Sequence, residues 1–335
     1  MQKPVFWIGS YATPEQKGLW KYCFDGNGFT VLSAYAGLTN PSYAAEHPLL
    51  PVLYTVEETE EGAVCAWRTE ENRLEKLGRI SAGGASPCHL SVSEDGRWLY
   101  CANYMGGSAA CFRLDSEGIL VERTDLRQHT GKGPNAQRQE AAHAHCVFLY
   151  RGRIAVCDLG EDRIYLYKNR GGVLEEKACL KAPPGSGPRH LAAHTAYPGR
   201  LYGIGELSGE VLVWQETAEG FELLKTVPTL PQGFTDGNTA AAIRFTEDGR
   251  WLLISHRGAD GIAALPMDGA GNPGIARWSP CVRGPRDFLI CGDTVIVGSQ
   301  SDGEIRAYML EEGKLEDTGF RAEVPEPTCL QKALR

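Results

Sequence analysis

Short runs of alternating apolar and polar residues, separated by turn residues, recur along the whole chain. The alternation has the two-residue period of a half-buried β-strand, and no segment has a convincing 3.6-residue helical period. One kind of run is strongly apolar and ends in small or aromatic residues. Its seven copies are 6–11, 53–58, 99–104, 154–160, 201–207, 252–258 and 295–300. The pattern predicts an all-β protein made of seven copies of one unit.

Each unit contains further strand-like runs in a fixed order. After a turn, a second run carries a large residue at one place: Tyr22, Trp67, Phe112, Tyr167, Trp214, Leu265 and Tyr308, separated by 43 to 55 residues. A third, more polar run follows in five of the units, at 74–80, 120–126, 174–180, 221–227 and 315–321. This period is that of a propeller blade and is too long for most solenoid repeats.

A fourth run precedes the first in six units, at 40–46, 86–92, 143–149, 187–193, 238–245 and 284–290. The N-terminal unit lacks it, and a seventh copy stands alone at 326–331. Both chain ends are therefore needed to complete one unit, which closes a ring and hides the sheet edges of a linear array. The sequence predicts a seven-bladed β-propeller of four-stranded blades, forming one domain over residues 1–335, with the N- and C-terminal strands sharing a blade.

The composition of the chain limits the kinds of molecule that the protein is expected to bind. The net charge is −8 and no Lys/Arg run stands out, so a nucleic-acid groove is not expected, and an anionic substrate would need locally gathered arginines. No stretch approaches the ~18 apolar residues of a membrane span, and no secretory signal pattern is present. The eleven cysteines are scattered singly without a CxxC pair. We expect reduced thiols and a cytoplasmic protein that does not bind membranes. The oligomeric state is left open.

Chemistry-bearing residues concentrate at one predicted end of the channel. In a four-stranded blade, the start of the innermost strand and the end of the second strand open on the same face. His, Arg, Glu and Asn gather at these places, and polar groups at a channel mouth mark the default site. The loop 127–142, which is too long for a hairpin, joins them. The candidates are His89, Asn103, Arg138, His143, His145, Arg189, His190, Glu206, Asn238, Arg257 and Arg286. The ends of the second strands also place Tyr11, Glu57, Tyr104, Asp158, His256 and Gln300 at this mouth.

Four of these residues form the candidate catalytic set: His145, Arg189, Glu206 and Arg257. One arginine can bind a carboxylate or phosphate, and another can stabilise the oxyanion formed when a lactone carbonyl is attacked. Glu206 or His145 can take the proton of the attacking water.

The remaining residues, His89, Asn103, Arg138, His143, His190, Asn238 and Arg286, are candidates for substrate binding. A structural role is the alternative: the histidines can hydrogen-bond the backbone inside the channel, and Arg286 can pair with a carboxylate. His143 and His145 with Glu140 could hold a metal, but no second dense cluster accompanies them, and neither a metal nor a cofactor is expected.

The segments GKGPNAQRQEAAHAH, CDLGEDRIYLY, GPRHLA, GELSGEVLVW and FTDGNTAAAIRFTEDGRWLLISHRGADGIA occur in this order. With NPSY, SPCHLSV and GPRDF, they make the chain resemble the β-propeller lactonases, the family of bacterial 6-phosphogluconolactonase type that is related to carboxy-muconate lactonising enzymes. The resemblance implies a cofactor-free reaction and matches the family's active residues to His145, Arg189, Glu206 and Arg257. Two motifs depart from it, since SHRG stands where SNRG is usual and GIGEL where INEL is usual.

The expected function is hydrolysis of a sugar-acid lactone, with 6-phosphogluconolactone as the first choice and a small anionic lactone as the only partner. A ring-closing enzyme acting on a muconate-like diacid is one alternative. A non-catalytic propeller that binds a ligand or protein is another, because fold alone does not fix function.

Overall fold

A computed structural model of the chain describes residues 3–70 and 73–334. These residues form 28 strands in seven four-stranded antiparallel sheets, and no helix long and apolar enough to cross a membrane occurs among them. Both the predicted all-β class and the predicted number of blades are confirmed.

The strands of the first four blades are as follows. Blade I contains β1 (Val5–Ser10), β2 (Leu19–Phe24) and β3 (Phe29–Tyr35). Blade II contains β4 (Ala44–Glu46), β5 (Val52–Glu57), β6 (Ala63–Glu70) and β7 (Arg73–Ser81). Blade III contains β8 (Pro87–Val92), β9 (Trp98–Asn103), β10 (Ser108–Leu114) and β11 (Leu120–Gln128). Blade IV contains β12 (Ala144–Tyr150), β13 (Arg153–Asp158), β14 (Arg163–Arg170) and β15 (Val173–Lys181).

The remaining strands follow in the same order. Blade V contains β16 (Pro188–Ala192), β17 (Arg200–Gly205), β18 (Glu210–Thr217) and β19 (Gly220–Pro228). Blade VI contains β20 (Thr239–Phe245), β21 (Trp251–Arg257), β22 (Gly261–Pro266) and β23 (Arg277–Pro280). Blade VII contains β24 (Pro285–Cys291), β25 (Thr294–Ser299), β26 (Glu304–Glu311) and β27 (Lys314–Glu323). The last strand is β28 (Pro327–Lys332).

The ring closes through β28, which is the innermost strand of blade I. It pairs antiparallel with β1, with Trp7 opposite Gln331 and Ile8 opposite Leu330. The predicted sharing of one blade by both chain ends is therefore confirmed. Without β28 the inner edge of β1 would be unpaired, and covering it is the physical reason for the split unit.

The core lies between neighbouring blades. The second strand of each blade is buried almost throughout, as in β1, β5 and β9, while the outermost strands alternate between half-buried and exposed positions. Tyr54 of blade II and Phe112 of blade III, for example, belong to one apolar cluster. All eleven cysteines are free, and seven of them are buried.

Two outermost strands have no counterpart among the runs identified in the sequence. They are β3, in which Thr30, Val31 and Leu32 are exposed and no residue is fully buried, and β23, which has only four residues. An outer strand packs on one side only, so its apolar pattern is weak. The long loop also differs slightly from expectation: Arg127 and Gln128 belong to β11, and the loop comprises residues 129–143.

Candidate active site at the channel mouth

Six of the seven innermost strands, all except β4, carry a β-bulge near their starts. The register shifts around Cys88, His145, Arg189, Arg286 and Thr328, so that each is an extra residue with no direct partner on the second strand. In β20, Ala241 and Ala242 together oppose the single Ser255. A bulge re-aims one side chain out of the pleat, and bulges are frequent beside active sites. The sequence GPRH or GPRD therefore turns its arginine toward the mouth.

A second ring of residues stands at the ends of the second strands. It consists of Tyr11, Glu58, Tyr104, Leu159, Glu206, Arg257 and Gln300. Backbone hydrogen bonds hold this ring against the start of the innermost strand: Glu206 N–H donates to the carbonyl of Gly187 at 2.7 Å, and Tyr104 N–H donates to that of Ser86 at 2.8 Å. The two rings bring side chains from different blades together.

Glu206 is the centre of one side of the mouth, which we call the Glu206 side. The Nη2 atom of Arg138 lies 2.5 Å from Oε1 of Glu206. The Nε atom of Arg189 lies 2.9 Å and the Nη2 atom of Arg257 3.1 Å from Oε2. Arg189 also donates to the carbonyl of Ala241 at 2.6 Å, which fixes its direction. One buried carboxylate thus holds three guanidiniums from three separate parts of the chain.

This arrangement decides the protonation of Glu206. Burial alone would raise its pKa, but the charges of Arg257, Arg189 and Arg138 lower the pKa to about 2. Burial lowers the pKa of both Arg189 and Arg257, and the charge of Glu206 opposes that shift. Glu206 is therefore ionised and stabilises two buried cations, and it is a weak proton acceptor.

His145 occupies the bulge of β12 and is 7% exposed. Its ring lies edge-on to those of Tyr104 and His190, at centroid distances of 5.5 and 5.4 Å. Burial, together with the charges of Arg189 and Arg286, lowers the pKa of His145 well below its usual value. Its Nδ1 atom is buried and has no hydrogen-bond partner among the described residues. His145 is accordingly a neutral imidazole close to the arginines.

The other side of the mouth, which we call the Arg286 side, is built differently. Arg286 donates to Tyr11 Oη at 3.1 Å and to Gln300 Oε1 at 3.2 Å. Tyr11 Oη in turn donates to Glu58 Oε1 at 2.9 Å, and Ser42 Oγ donates to the other oxygen of Glu58. Within the described residues, no carboxylate lies within 4.0 Å of the Arg286 guanidinium. The predicted alternative, in which Arg286 pairs directly with a carboxylate, is not observed.

The mouth carries a local positive charge in a protein whose net charge is −8. Arg138, Arg189, Arg257 and Arg286 supply four guanidiniums, Glu206 and Glu58 supply two carboxylates, and Glu140 beside His143 supplies a third. One positive charge is left over, so the mouth can attract an anion that the protein surface as a whole would repel.

The structure does not bring all the candidate substrate-binding residues to the mouth. Asn103 is fully buried and donates to the carbonyl of Ala82 and to Ser108 Oγ, inside blade III. The amide of Asn238 lies 3.1 Å from Nδ1 of His256, which is itself buried. Both asparagines hold strand ends and loops in place.

The histidine candidates occupy different depths. His143 stacks on Tyr104 and is held by the Tyr104 carbonyl and by Glu140, at 3.1 Å each. His89 and His190 lie deeper, with ring centroids 5.2 Å apart, and line a cavity of about 390 Å³ farther along the channel. The ring of His190 still touches the site, because its Nε2 atom lies 3.2 Å from Nη1 of Arg189.

Sequence reasoning missed Glu58. It placed Glu57 at the mouth, but Glu57 forms an ion pair with Arg79 at 2.8 Å, and Glu58 lies on the mouth side. A shift of one residue moves a side chain to the other face of a strand. Aligning the last residues of the seven second strands on Glu206 would have found it. Tyr11, Tyr104 and Gln300 are further members of the site outside the candidate set, although all three stand at the expected ends of second strands.

Metal ligation at the mouth has no geometric support. His143 contacts Glu140 and the backbone, and within the described part of the chain the one group with metal-ligand spacing is His129, Asp158 and Glu161, away from Glu206.

Known proteins resemble this chain over its whole length. Residues 5–332 match the model of a family described as "Lactonase, 7-bladed beta-propeller". A Bacillus subtilis protein named 6-phosphogluconolactonase is 30% identical over 346 residues, covering 99% of both chains.

Solved structures of related proteins are also similar to this chain over almost its whole length. A Bacteroides fragilis protein described as a candidate 6-phosphogluconolactonase is 25% identical with a TM-score of 0.91, covering 99% of this chain and 98% of its own. The Pseudomonas aeruginosa periplasmic gluconolactonase is 26% identical with a TM-score of 0.89, covering 99% of each chain. The family match spans every blade and includes the strands that build the mouth. This chain belongs to the seven-bladed β-propeller lactonase family.

Proposed function

We propose that this protein hydrolyses the lactone of a phosphorylated sugar acid, with 6-phosphogluconolactone as the preferred substrate and 6-phosphogluconate as the product. The observation that carries the proposal is the excess of guanidinium over carboxylate at the mouth, and above all Arg286, a half-buried cation that has no carboxylate within 4.0 Å among the described residues. A buried charge is costly unless it is paired, so an anionic substrate group is the natural partner of Arg286. The Bacillus subtilis relative named 6-phosphogluconolactonase supports the choice of substrate.

In this proposal, one side of the mouth binds the phosphate and the other side stabilises the reacting carbonyl group. Arg286 binds the phosphate, which is far from the reacting carbonyl. Arg189 and Arg257, held by Glu206, face the carbonyl oxygen and stabilise the oxyanion as water attacks. Arg138, which is half-exposed on its loop, can leave Glu206 for the substrate, because its side chain is the least enclosed of the three.

Proton transfer falls to His145 in this mechanism. Glu206 is a poor base because its pKa is about 2 and both its oxygens contact guanidiniums. Neutral His145 takes a proton from the attacking water, and the tetrahedral intermediate collapses with cleavage of the bond between the carbonyl carbon and the ring oxygen. His145 then returns the proton to that oxygen. The new carboxylic acid ionises at neutral pH, so each turnover releases one proton. Arrival of the anionic substrate favours protonated His145, because it offsets the charges that lower its pKa.

We also place the reaction in the cytoplasm. The eleven free cysteines fit a reducing compartment. Cell fractionation with a tagged chain tests this, and recovery from a secreted or periplasmic fraction would contradict it.

The decisive experiment is proton release from a panel of lactones, each offered with and without a phosphate. We expect kcat/KM for the phosphorylated sugar lactone to exceed that for its unphosphorylated counterpart by at least about tenfold, which corresponds to about 1.4 kcal/mol of binding. Equal turnover of both would contradict the phosphate assignment. Loss of diene absorbance from a muconate-like diacid would favour ring closure instead, and a panel without any turnover would favour a binding protein.

A further inference from the structure

A second cluster of chemistry-bearing side chains lies beside the loop that carries Arg138. It consists of His129, the first residue of that loop, Asp158, the last residue of β13, and Glu161 in the turn that follows. One ligand atom from each residue lies within 4.8 Å of the other two. The side chains are 1%, 0% and 4% exposed, so the cluster is enclosed by protein.

Glu161 differs from the other two residues because one of its buried oxygen atoms has no hydrogen-bond partner among the described residues. Its Oε2 atom accepts a hydrogen bond from Tyr165 Oη at 3.0 Å and lies 3.6 Å from Nε of Arg163. Its Oε1 atom is buried and has no partner among the described residues. Burial and the neighbouring Asp158 raise the pKa of Glu161. A buried carboxylate oxygen without a partner costs free energy, and here it stands next to a second carboxylate.

The other two residues are held in ligating positions. Asp158 Oδ1 accepts the backbone N–H groups of His143 and Glu161, which leaves Oδ2 facing Nδ1 of His129 at 2.7 Å. The Nε2 atom of His129 lies 2.9 Å from Oη of Tyr167, and the ring of Tyr165 stacks on His129 at 4.0 Å. When an ion takes Nδ1, the ring proton can reside on Nε2 and be donated to Tyr167. Such a second hydrogen bond orients most metal-bound histidines.

We propose that His129, Asp158 and Glu161 bind one divalent transition-metal ion of the Zn²⁺ or Mn²⁺ type. An imidazole with two carboxylates is a nitrogen–oxygen ligand set of the kind such ions accept, whereas Ca²⁺ and Mg²⁺ prefer oxygen ligands alone. The two carboxylates balance the charge of the ion, and Arg163 pairs with Oε2 of Glu161, whereas Oε1 has no partner among the described residues. A cavity of about 320 Å³ lined by Lys132, Gly133, Glu161 and Arg163 provides an entry path.

The ion would act on the loop and not on the lactone. Asp158 already receives the backbone N–H of His143, the last residue of the loop, and His129 is its first. A bound ion therefore fastens both ends of residues 129–143 to β13. This segment brings Arg138 to Glu206, so the ion is a structural support for the mouth, and the proposed hydrolysis does not pass through it.

The test uses the full-length protein, stripped with a chelator and then titrated separately with ZnCl₂, MnCl₂, CaCl₂ and MgCl₂. Calorimetry is expected to show one Zn²⁺ or Mn²⁺ per chain, with weaker or no binding of Ca²⁺ and Mg²⁺. The thermal unfolding midpoint should rise with the bound ion, because a ligand that binds only the folded state stabilises it. Lactonase activity is not the readout, so failure here is separate from failure of the proposed function.

Two variants locate the ion. Glu161→Gln keeps the shape of the side chain and should weaken binding at least tenfold, whereas Glu175→Gln, at an exposed carboxylate on β15 of the same blade, should bind like the wild type. The Co²⁺-loaded protein should lack the charge-transfer band that cysteine ligation gives. Absence of binding by both Zn²⁺ and Mn²⁺, equal affinity in Glu161→Gln, or a thiolate band would each overturn the assignment.

Discussion

The two sides of the channel mouth stabilise their guanidinium groups in opposite ways. On the Glu206 side, one carboxylate is shared by Arg138, Arg189 and Arg257 at 2.5 to 3.1 Å. On the Arg286 side, the guanidinium is hydrogen-bonded to the uncharged groups of Tyr11 and Gln300, while Glu58 is reached only through Tyr11 and Ser42.

The difference indicates which side is complete without a ligand. The Glu206 side has its counter-ion built in, so its donors are held in place before substrate arrives. That is the condition for stabilising a charge that develops during the reaction. On the Arg286 side, no carboxylate of the described chain lies next to the guanidinium, which suits recognition of a permanent negative charge on the substrate. Five substitutions or measurements test this difference between the two sides.

Replacing Glu206 should have the largest effect. Glu206→Gln keeps the size of the side chain but removes the charge that organises Arg189 and Arg257. Loss of one positioned oxyanion donor costs on the order of 10² to 10³ in turnover in a well-studied hydrolase, and disordering two should reduce kcat by at least roughly 10³. Steady-state kinetics on the phosphorylated lactone measures this. Glu222→Gln, at an exposed position on β19 of the same blade, is the control, and kcat of Glu206→Gln within tenfold of the wild type would contradict the role.

Removing single arginines on the Glu206 side should be the next largest effect. Arg189→Ala and Arg257→Ala are each expected to lower kcat, and the one nearer the oxyanion by about 10² to 10³. KM should change by much less, because the interaction is made in the transition state. If both variants raised KM and left kcat intact, the contrast between the two sides would be wrong.

Arg286→Gln should instead raise KM with little change in kcat. A hydrogen bond to a charged group contributes about 1.5–3 kcal/mol, which corresponds to roughly a 10- to 100-fold increase in KM. The effect should vanish with an unphosphorylated lactone, since the anion is then absent. Arg283→Gln is a matched control, because Arg283 is an exposed arginine three residues upstream that pairs with Asp302 at 2.7 Å. An equal KM increase for both lactones would place Arg286 elsewhere in the mechanism.

Acid should remove a stabilising contribution of Glu206. Its pKa falls from 4.5 in the unfolded chain to about 2 in the folded protein, so the contribution is fully present above pH 4.5 and is lost as the pH falls toward 2. The shift corresponds to roughly 3 kcal/mol of unfolding free energy. Denaturant unfolding at pH 7 and pH 3 measures roughly 2 kcal/mol of this contribution, because folded Glu206 is still mostly ionised at pH 3, and the pH dependence should be smaller in Glu206→Gln by that amount. The same pH dependence in both proteins would refute the assignment.

The smallest effect concerns the pH profile of activity. The pKa of His145 is well below 6.5 and that of Glu206 is about 2, so both groups are deprotonated in the free enzyme at neutral pH. We expect kcat/KM for an unphosphorylated lactone to show no acid limb near pH 6.5, since both groups protonate at lower pH. A neutral lactone is required because a phosphate itself titrates near pH 6. An inflection at pH 6.5 that disappears in His145→Gln would show that the His145 pKa is not lowered.

The blades could be predicted from the sequence because the same strand pattern occurs seven times, so an irregular copy does not hide the repeat. Seven apolar second strands and seven innermost runs give the same signal in many places, and the lone run at 326–331 reveals how the ring closes. The prediction failed where that redundancy was missing, at the partly exposed β3 and the four-residue β23. The candidate site could be predicted in the same way, at strand starts and ends, but only to within one residue: Glu57 was chosen where Glu58 faces the mouth.

The fold, its closure by the two chain ends and the set of residues available to the mouth can be predicted from the amino-acid sequence. They follow from the two-residue apolar period and from the spacing of the repeats, which are local properties of the chain. Three features emerge only when the ring is folded: Arg138, Arg189 and Arg257 meet on Glu206, Asn103 is used inside its blade, and no carboxylate of the described residues lies beside Arg286. These contacts join different blades or depend on the side to which a bulge turns one residue. Distances of this kind are set by the packing of the ring, and no local pattern in the chain encodes them.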